Sequence, residues 1–184
     1  MSEIDLLVRE YERFVALPWQ SNVAGPERVW FAVYDPPQER RLRLHIPEFE
    51  IATTKAGHGW HFVDLTDAFA RWMAGHKYRE AYFQRPHLMT DAVLAGFKST
   101  VVEQIVAALT GPNVDANAVV AVSGLAALFG FVRASEVMEA VAPSIRGRLL
   151  VFFPGSYENK MYRLLDARDG WNYLAIPITA QAQR

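Results

Sequence analysis

Apolar runs alternate along the chain with stretches of helical period, and the alternation is clearest between Val119 and Ser156. An uninterrupted apolar run, Ala118 to Val122, stops at Ser123-Gly124. A helix-compatible stretch follows and ends at Pro143, and a second apolar run, Leu149 to Phe153, stops at Pro154-Gly155. Runs of this length bounded by Gly and Pro are the pattern of strands buried on both faces. Two of them around a helix predict a βαβ unit. Upstream, Ser2 to about Leu17 carries Ile4, Leu7, Val8, Tyr11 and Val15 on one helical stripe, with Ser2 and Asp5 spaced as a weak capping box. Arg28–Tyr34 reads as an aromatic and β-branched strand stopped by Asp35-Pro36-Pro37. A charged helix, Gln38 to Thr54, should be broken or kinked at Pro47. Trp60–Leu65 reads as a strand, with Thr66 as cap of the helix after it. A short helix should end at Pro86, and Thr90 to Leu109 forms a strong helix closed by Gly111-Pro112-Asn113. Tyr157 to Gly170 is ambiguous, Trp171–Thr179 reads as a final strand, and the terminal AQAQR should be mobile.

Strands alternating with helices predict a single α/β domain over residues 1–184, a Rossmann-like three-layer fold with a largely parallel sheet of about five strands. The last strand follows a connection without a helix, which leaves it free to run antiparallel. In such a fold ligands and partners meet the carboxyl ends of the strands. Arg133 lies in sequence between two of those ends.

Composition narrows the class. The chain has 184 residues, 51% of them hydrophobic, and a formal net charge of −1, so no global charge draws it to nucleic acid or acidic lipid. It has no cysteine, which excludes a disulfide framework, a thiolate metal site and a cysteine nucleophile. No continuous apolar run approaches the ~20 residues of a membrane span. The charged N-terminus lacks a signal-peptide core. A soluble cytoplasmic protein without a membrane partner is the expectation.

Candidate chemistry is sparse. Gly96-Phe97-Lys98-Ser99 lacks the spacing and preceding strand of a phosphate loop. Ser123-Gly124 ends a strand and could serve a nucleophile or an anion site, but the surrounding AVSGL lacks the first glycine of a nucleophile elbow, and no histidine follows His87. His61 and Asp64 fall on opposite faces of a strand, which argues against a metal site there. Nothing implies a cofactor. Arg40, Arg41 and Arg43 form a basic run flanked by Glu39, Glu48 and Glu50. A solvated face is the plain reading, and weak, salt-sensitive DNA contact the alternative. Arg133 sits in the apolar context GFVRAS and needs either a structural carboxylate or a ligand. Two readings remain open from the residues alone. In one, Asp35, Ser123, Gly124, Arg133 and Tyr157 contribute to a protein-docking edge. In the other, Ser123-Gly124 and Arg133 hold a small phosphorylated ligand.

The ordered set of blocks VVAVSGLAALFGFVRAS, LLVFFPGSY and WNYLAIPI, with WFAVYDP (Trp30 to Pro36) and HFVDL (His61 to Leu65) before them, resembles the BrxB-like component of bacterial BREX anti-phage defence systems. The resemblance spans about residues 28–178. The chain departs from that family's pattern where Arg133 is followed by Ala134-Ser135-Glu136 rather than a Ser-His turn, and where Gly155-Ser156-Tyr157 replaces Gly-Glu-Tyr. The resemblance implies a non-catalytic accessory factor beside a PglZ-type alkaline-phosphatase-fold protein, an ATPase and a DNA methyltransferase. The PglZ-type protein is the expected direct partner.

Overall fold

The computed structural model describes residues 1–167 and 170–181. Its sheet contains β1 (Val29–Tyr34), β2 (Gly59–Asp64), β3 (Ala118–Ser123), β4 (Arg148–Glu158), β5 (Met161–Leu164) and β6 (Ile176–Thr179). The strand order is β2-β3-β4-β1-β6, all parallel, with β5 paired antiparallel to β4. The apolar runs occupy its centre: every residue of β1 and β3 is buried. Alternate side chains feed two cores. Phe31 and Val33 join Val120, Val122 and Val151 beneath α5 (Asp91–Leu109) and α6 (Ala134–Val141). Trp30, Ala32 and Tyr34 join Leu150 and Phe152 beneath α1 (Glu3–Val15) and α2 (Glu39–Lys55). This is the expected three-layer α/β arrangement. Each large side chain so buried contributes roughly 1.5–3 kcal/mol.

Local signals explain the helix ends. The Ser2–Asp5 capping box forms in both directions, with Asp5 N–H donating to Ser2 Oγ at 3.2 Å and Ser2 N–H to Asp5 Oδ2 at 2.7 Å. The short α3 (Ala68–Ala74) and α4 (Arg79–Gln84) follow β2, and Pro86 ends the second. α5 has the length and composition of a membrane span, but its Phe97, Val101, Ile105 and Leu109 face packs on the sheet.

Several expectations are corrected. The last strand is parallel, pairing Trp30 with Ile176 and Ala32 with Ile178; the connection after β5 carries the chain back to the amino edge of the sheet before β6 begins. That strand is also shorter than predicted. Trp171 touches the sheet only through a single bridge to Tyr162, and regular pairing starts at Ile176. α2 runs unbroken through Pro47, because buried Leu42 on one side and Phe49, Ala52 and Thr53 on the other dock both halves onto one core. Thr66 does not cap α3; its hydroxyl binds Asp64 instead. The stretch after β3 divides into a 3-10 turn (Leu125–Leu128) and α6, separated by Gly130 at φ 82°.

The largest difference concerns β4. Pro154-Gly155 does not end this strand. Pro154 pairs with Tyr34 as the last position of the parallel ladder, and the chain continues as an antiparallel hairpin with β5. A Cβ on Gly155 would lie 2.0 Å from the Arg163 carbonyl oxygen, so only glycine lets the two backbones pair. Asn159 and Lys160 turn the hairpin with φ of 51° and 62°, the left-handed pair that two-residue hairpins favour. The ambiguous stretch before Gly170 is therefore largely this hairpin; residues 168 and 169, like residues 182–184 of the tail, lie outside the described ones.

Candidate functional site at the carboxyl edge

A hydrogen-bonded chain of side chains links the carboxyl ends of β1 and β2. Tyr34, the last residue of β1, donates its hydroxyl to Glu39. Glu39 opens α2, and one turn on, Arg43 Nε donates to Glu39 Oε1 at 2.9 Å, an i,i+4 pair. Arg43 Nη2 donates to Thr66 Oγ1 at 2.6 Å. The Thr66 hydroxyl and N–H both donate to Asp64 Oδ1, at 2.5 and 2.9 Å. Burial and then the neighbouring Glu39 push the Tyr34 phenol well above its ordinary range, so it stays protonated. Burial alone would raise the Asp64 carboxyl; the Thr66 hydroxyl and N–H, helped by Arg43, outweigh it and hold the group below its ordinary value.

Ser123 and Gly124 abut this chain. Asp64 and Ser123 are register partners. Gly124 sits at φ 80°, where a Cβ would lie 2.5 Å from Thr66 N and 3.0 Å from Asp64 Oδ1. The turn is thus shaped around the Asp64 carboxylate, whose charge disfavours a second anion at the same spot. The Ser123 hydroxyl is buried beside the Asp64 carboxylate, which it helps to hold below its ordinary value, although it falls outside full hydrogen-bonding geometry. No histidine contact reaches it either: His45 pairs with Glu48, His58 with Asn117, and His61 with the Asn113 carbonyl.

The depressed Asp64 group has a measurable consequence. Its stabilising contribution is complete above its unfolded value near pH 4 and is lost as pH falls through the lower folded value. Thermal melts of the wild type and Asp64→Asn should therefore differ by a constant gap from pH 5 to 8 and converge below about pH 4. A gap that widens on acidification would contradict the assignment.

Beside this network the sheet reaches its switch point. β1 leads into α2 on one face and β4 leads into the hairpin on the other, so the crevice lies between their carboxyl ends. It is covered here: Pro154 pairs with Tyr34, and Leu165 N–H donates to the Pro154 carbonyl at 2.9 Å. The open space lies further along the same edge. A cleft of about 920 Å³ runs between the start of α5, the Phe129–Arg133 segment, the start of α6 and the hairpin. Phe129 and Phe131 stand 41% and 38% exposed on it, far more than core aromatics. Phe131 is braced by stacking on Phe69 at 4.1 Å. Lys98 and Glu136 pair across it at 2.8 Å, and that bond with Lys98 holds Glu136 below the usual carboxylate range. Arg133 is exposed at the N-cap of α6 and makes no ion pair among the described residues.

The predicted residues are therefore dispersed. Arg133 lines the cleft, and Tyr157 packs half-buried on Tyr162 of its wall at 4.5 Å. Asp35 is exposed at the foot of α2, its N–H held by Glu3 at 3.0 Å. Ser123 and Gly124 belong to the Asp64 network and do not line the cleft. Arg40 and Arg41 are exposed, whereas Arg43 is committed to Glu39 and Thr66. Lys98 lies inside α5, paired with Glu136, and not in a phosphate loop. Sequence reasoning missed Glu39, Asp64 and Thr66 as partners, although the Glu39–Arg43 spacing carried the signal. It also missed Phe129 and Phe131, which lie in an apolar stretch.

Among the described residues no three histidine or carboxylate side chains converge as a metal site. The fold and edge together define a doubly wound α/β protein whose Glu39, Arg43, Thr66 and Asp64 side chains bond one another at the carboxyl edge and whose cleft is aromatic, with Arg133 exposed on it. The chain belongs to the BREX protein BrxB family, whose sequence model matches residues 63–178. Residues 28–62, included in the resemblance read from the sequence, lie outside that match. The chain matches no curated protein and no solved structure. Family membership makes it a BREX system component, with other BREX components as its partners.

Proposed function

We propose that this protein is a non-catalytic adaptor of a cytoplasmic BREX assembly, serving phage defence by docking a PglZ-type partner on the cleft face. One contrast supports this reading most. At the carboxyl edge Glu39, Arg43, Thr66 and Asp64 are bonded to each other, while the adjoining cleft presents unpaired Arg133 with Phe129 and Phe131. Exposed aromatics and arginine are the residues that dominate binding at protein interfaces. The phosphorylated-ligand reading has less support, because Asp64 stands at the Ser123-Gly124 turn and that turn does not open into the cleft that holds Arg133.

Tagged protein expressed with its neighbouring gene products should co-purify with the PglZ-type protein at low salt. Arg133→Glu, an exposed change, should lower recovery by about tenfold or more, as loss of an interface hot spot does. Recovery of free protein alone, or undiminished recovery with Arg133→Glu, would overturn docking through this face.

A further inference from the structure

The opposite, amino edge of the sheet carries three arginines, Arg28, Arg146 and Arg148. Val29 pairs with Leu149, so one step earlier Arg28 stands opposite Arg148. Like charges at paired positions of neighbouring strands repel. Arg148 is only 7% exposed, and its guanidinium lies over Trp19 at 4.9 Å and Trp30 at 5.8 Å. It donates to the carbonyls of Gly147 at 3.0 Å and Gln20 at 2.8 Å. Half-buried Arg28 donates to the carbonyls of Ile145 at 3.0 Å, Arg146 at 3.4 Å and Ser21 at 3.5 Å, and its Nε is buried without an acceptor. Arg146, exposed between them in sequence, donates to the Val114 carbonyl at 3.1 Å.

Every one of these acceptors is uncharged. Among the described residues no carboxylate comes within 4.0 Å of any of the three guanidinium groups. Glu27 and Asp115, next in sequence to Arg28 and to Val114, accept from the Ala24 and Asn117 N–H groups and make no ion pair with the three arginines. Burial, and then the neighbouring charge of Arg28, disfavour the charged form of Arg148. Carbonyl dipoles orient the guanidinium groups, but they leave the partly desolvated arginines without a directly paired carboxylate.

We propose that the amino edge binds a phosphate-type oxyanion between Arg28 and Arg146, with the charge of Arg148 beneath it. Guanidinium groups carried on segments that touch, with Arg28 reaching the Arg146 carbonyl, suit the several oxygens of a phosphate better than the two of a carboxylate, which one arginine can satisfy. Trp19 is already stacked on His58 at 3.7 Å and covered by Arg148, so the edge recognises the phosphate and not a base. Free phosphate, a nucleotide phosphate and a nucleic-acid backbone share this chemistry. The site is separate from the cleft and does not depend on the docking proposal.

The test uses the full chain and three probes at low ionic strength: inorganic phosphate, a nucleoside 5′-monophosphate and a single-stranded 20-mer, each followed by calorimetric titration and thermal shift. At least one probe should bind, and Arg146→Gln should weaken it about tenfold or more. The doubly substituted Arg40→Gln, Arg41→Gln protein, altered at exposed arginines of α2, should bind as the wild type. Binding of all three probes assigns the site to phosphate itself. Binding of the 20-mer alone, with affinity falling steeply in salt, assigns it to a nucleic-acid backbone. Arg28→Gln should also lose binding; if it fails to fold, the exposed Arg146→Gln decides. No binding of any probe, undiminished binding by Arg146→Gln, or an equal loss in the α2 double variant overturns the proposal.

Discussion

Gly147→Ala should abolish folding or lower stability by about 3 kcal/mol or more, the upper end of overpacking effects. Gly147 lies immediately before β4, and a Cβ there would sit 2.0 Å from the Ala118 carbonyl oxygen and 3.0 Å from Ala118 N. Those atoms are backbone of β3, so no side-chain rotation relieves the contact. Relief requires parting the strands where Val119 pairs with Arg148. Gly130→Ala is the informative comparison. Gly130 also has an unusual backbone, φ 82°, but nothing lies within 4 Å of its added Cβ. It should cost only about 1–2 kcal/mol of left-handed strain. Thermal melts of the two variants separate the effects, and Gly147→Ala melting with or above Gly130→Ala would refute the close strand approach.

Phe31→Ala should cost about 3–5 kcal/mol, the range for a buried phenylalanine. For a chain of this size that is a fall of roughly 6–20 °C in melting temperature. The ring is fully buried on β1, between β4 and β6, and contacts Phe153 at 5.0 Å, Tyr162 at 4.6 Å and Trp171 at 5.6 Å. It therefore couples the parallel sheet to the hairpin that walls the cleft. The near-ultraviolet circular dichroism of this aromatic group should collapse together with the stability. Phe62→Ala, on the edge strand and 44% exposed, should cost about 1 kcal/mol or less, since partly exposed sites lose little. Equal melting temperatures for the two variants would mean that Phe31 does not join these layers.

The parallel sheet was legible because its central strands are fully buried and carry no polar interruption. β1, β3 and the first half of β4 stand where the apolar runs place them. The rest of β4 was hidden by Pro154-Gly155, which normally terminates a strand. Here the proline falls at the end of one ladder and the glycine permits a close backbone approach in the next, which is a property of the partner strand and invisible in one segment. Pro47 misled for a related reason: local propensity argued for a break, and long-range packing of Phe49 and Ala52 overrode it. The edge chemistry was less legible. Arg43, Asp64 and Ser123 are far apart in sequence and meet only through strand order, and the exposure of Phe129 depends on a cleft formed by four segments. Arg133 stood out because a lone cation in an apolar stretch must be explained whatever the fold.

The position of β1 in the sheet sets the order in which the protein can assemble. Both neighbours of this strand, β4 and β6, come from the last quarter of the chain, more than a hundred residues downstream. During synthesis the buried Val29–Tyr34 segment must therefore wait, apolar and unpaired, until β4 and β6 have been made. Any truncation before Arg148 leaves it without a ladder partner on either side. β1 is made before either of its ladder partners, so in that interval it depends on whatever shields an exposed aromatic strand.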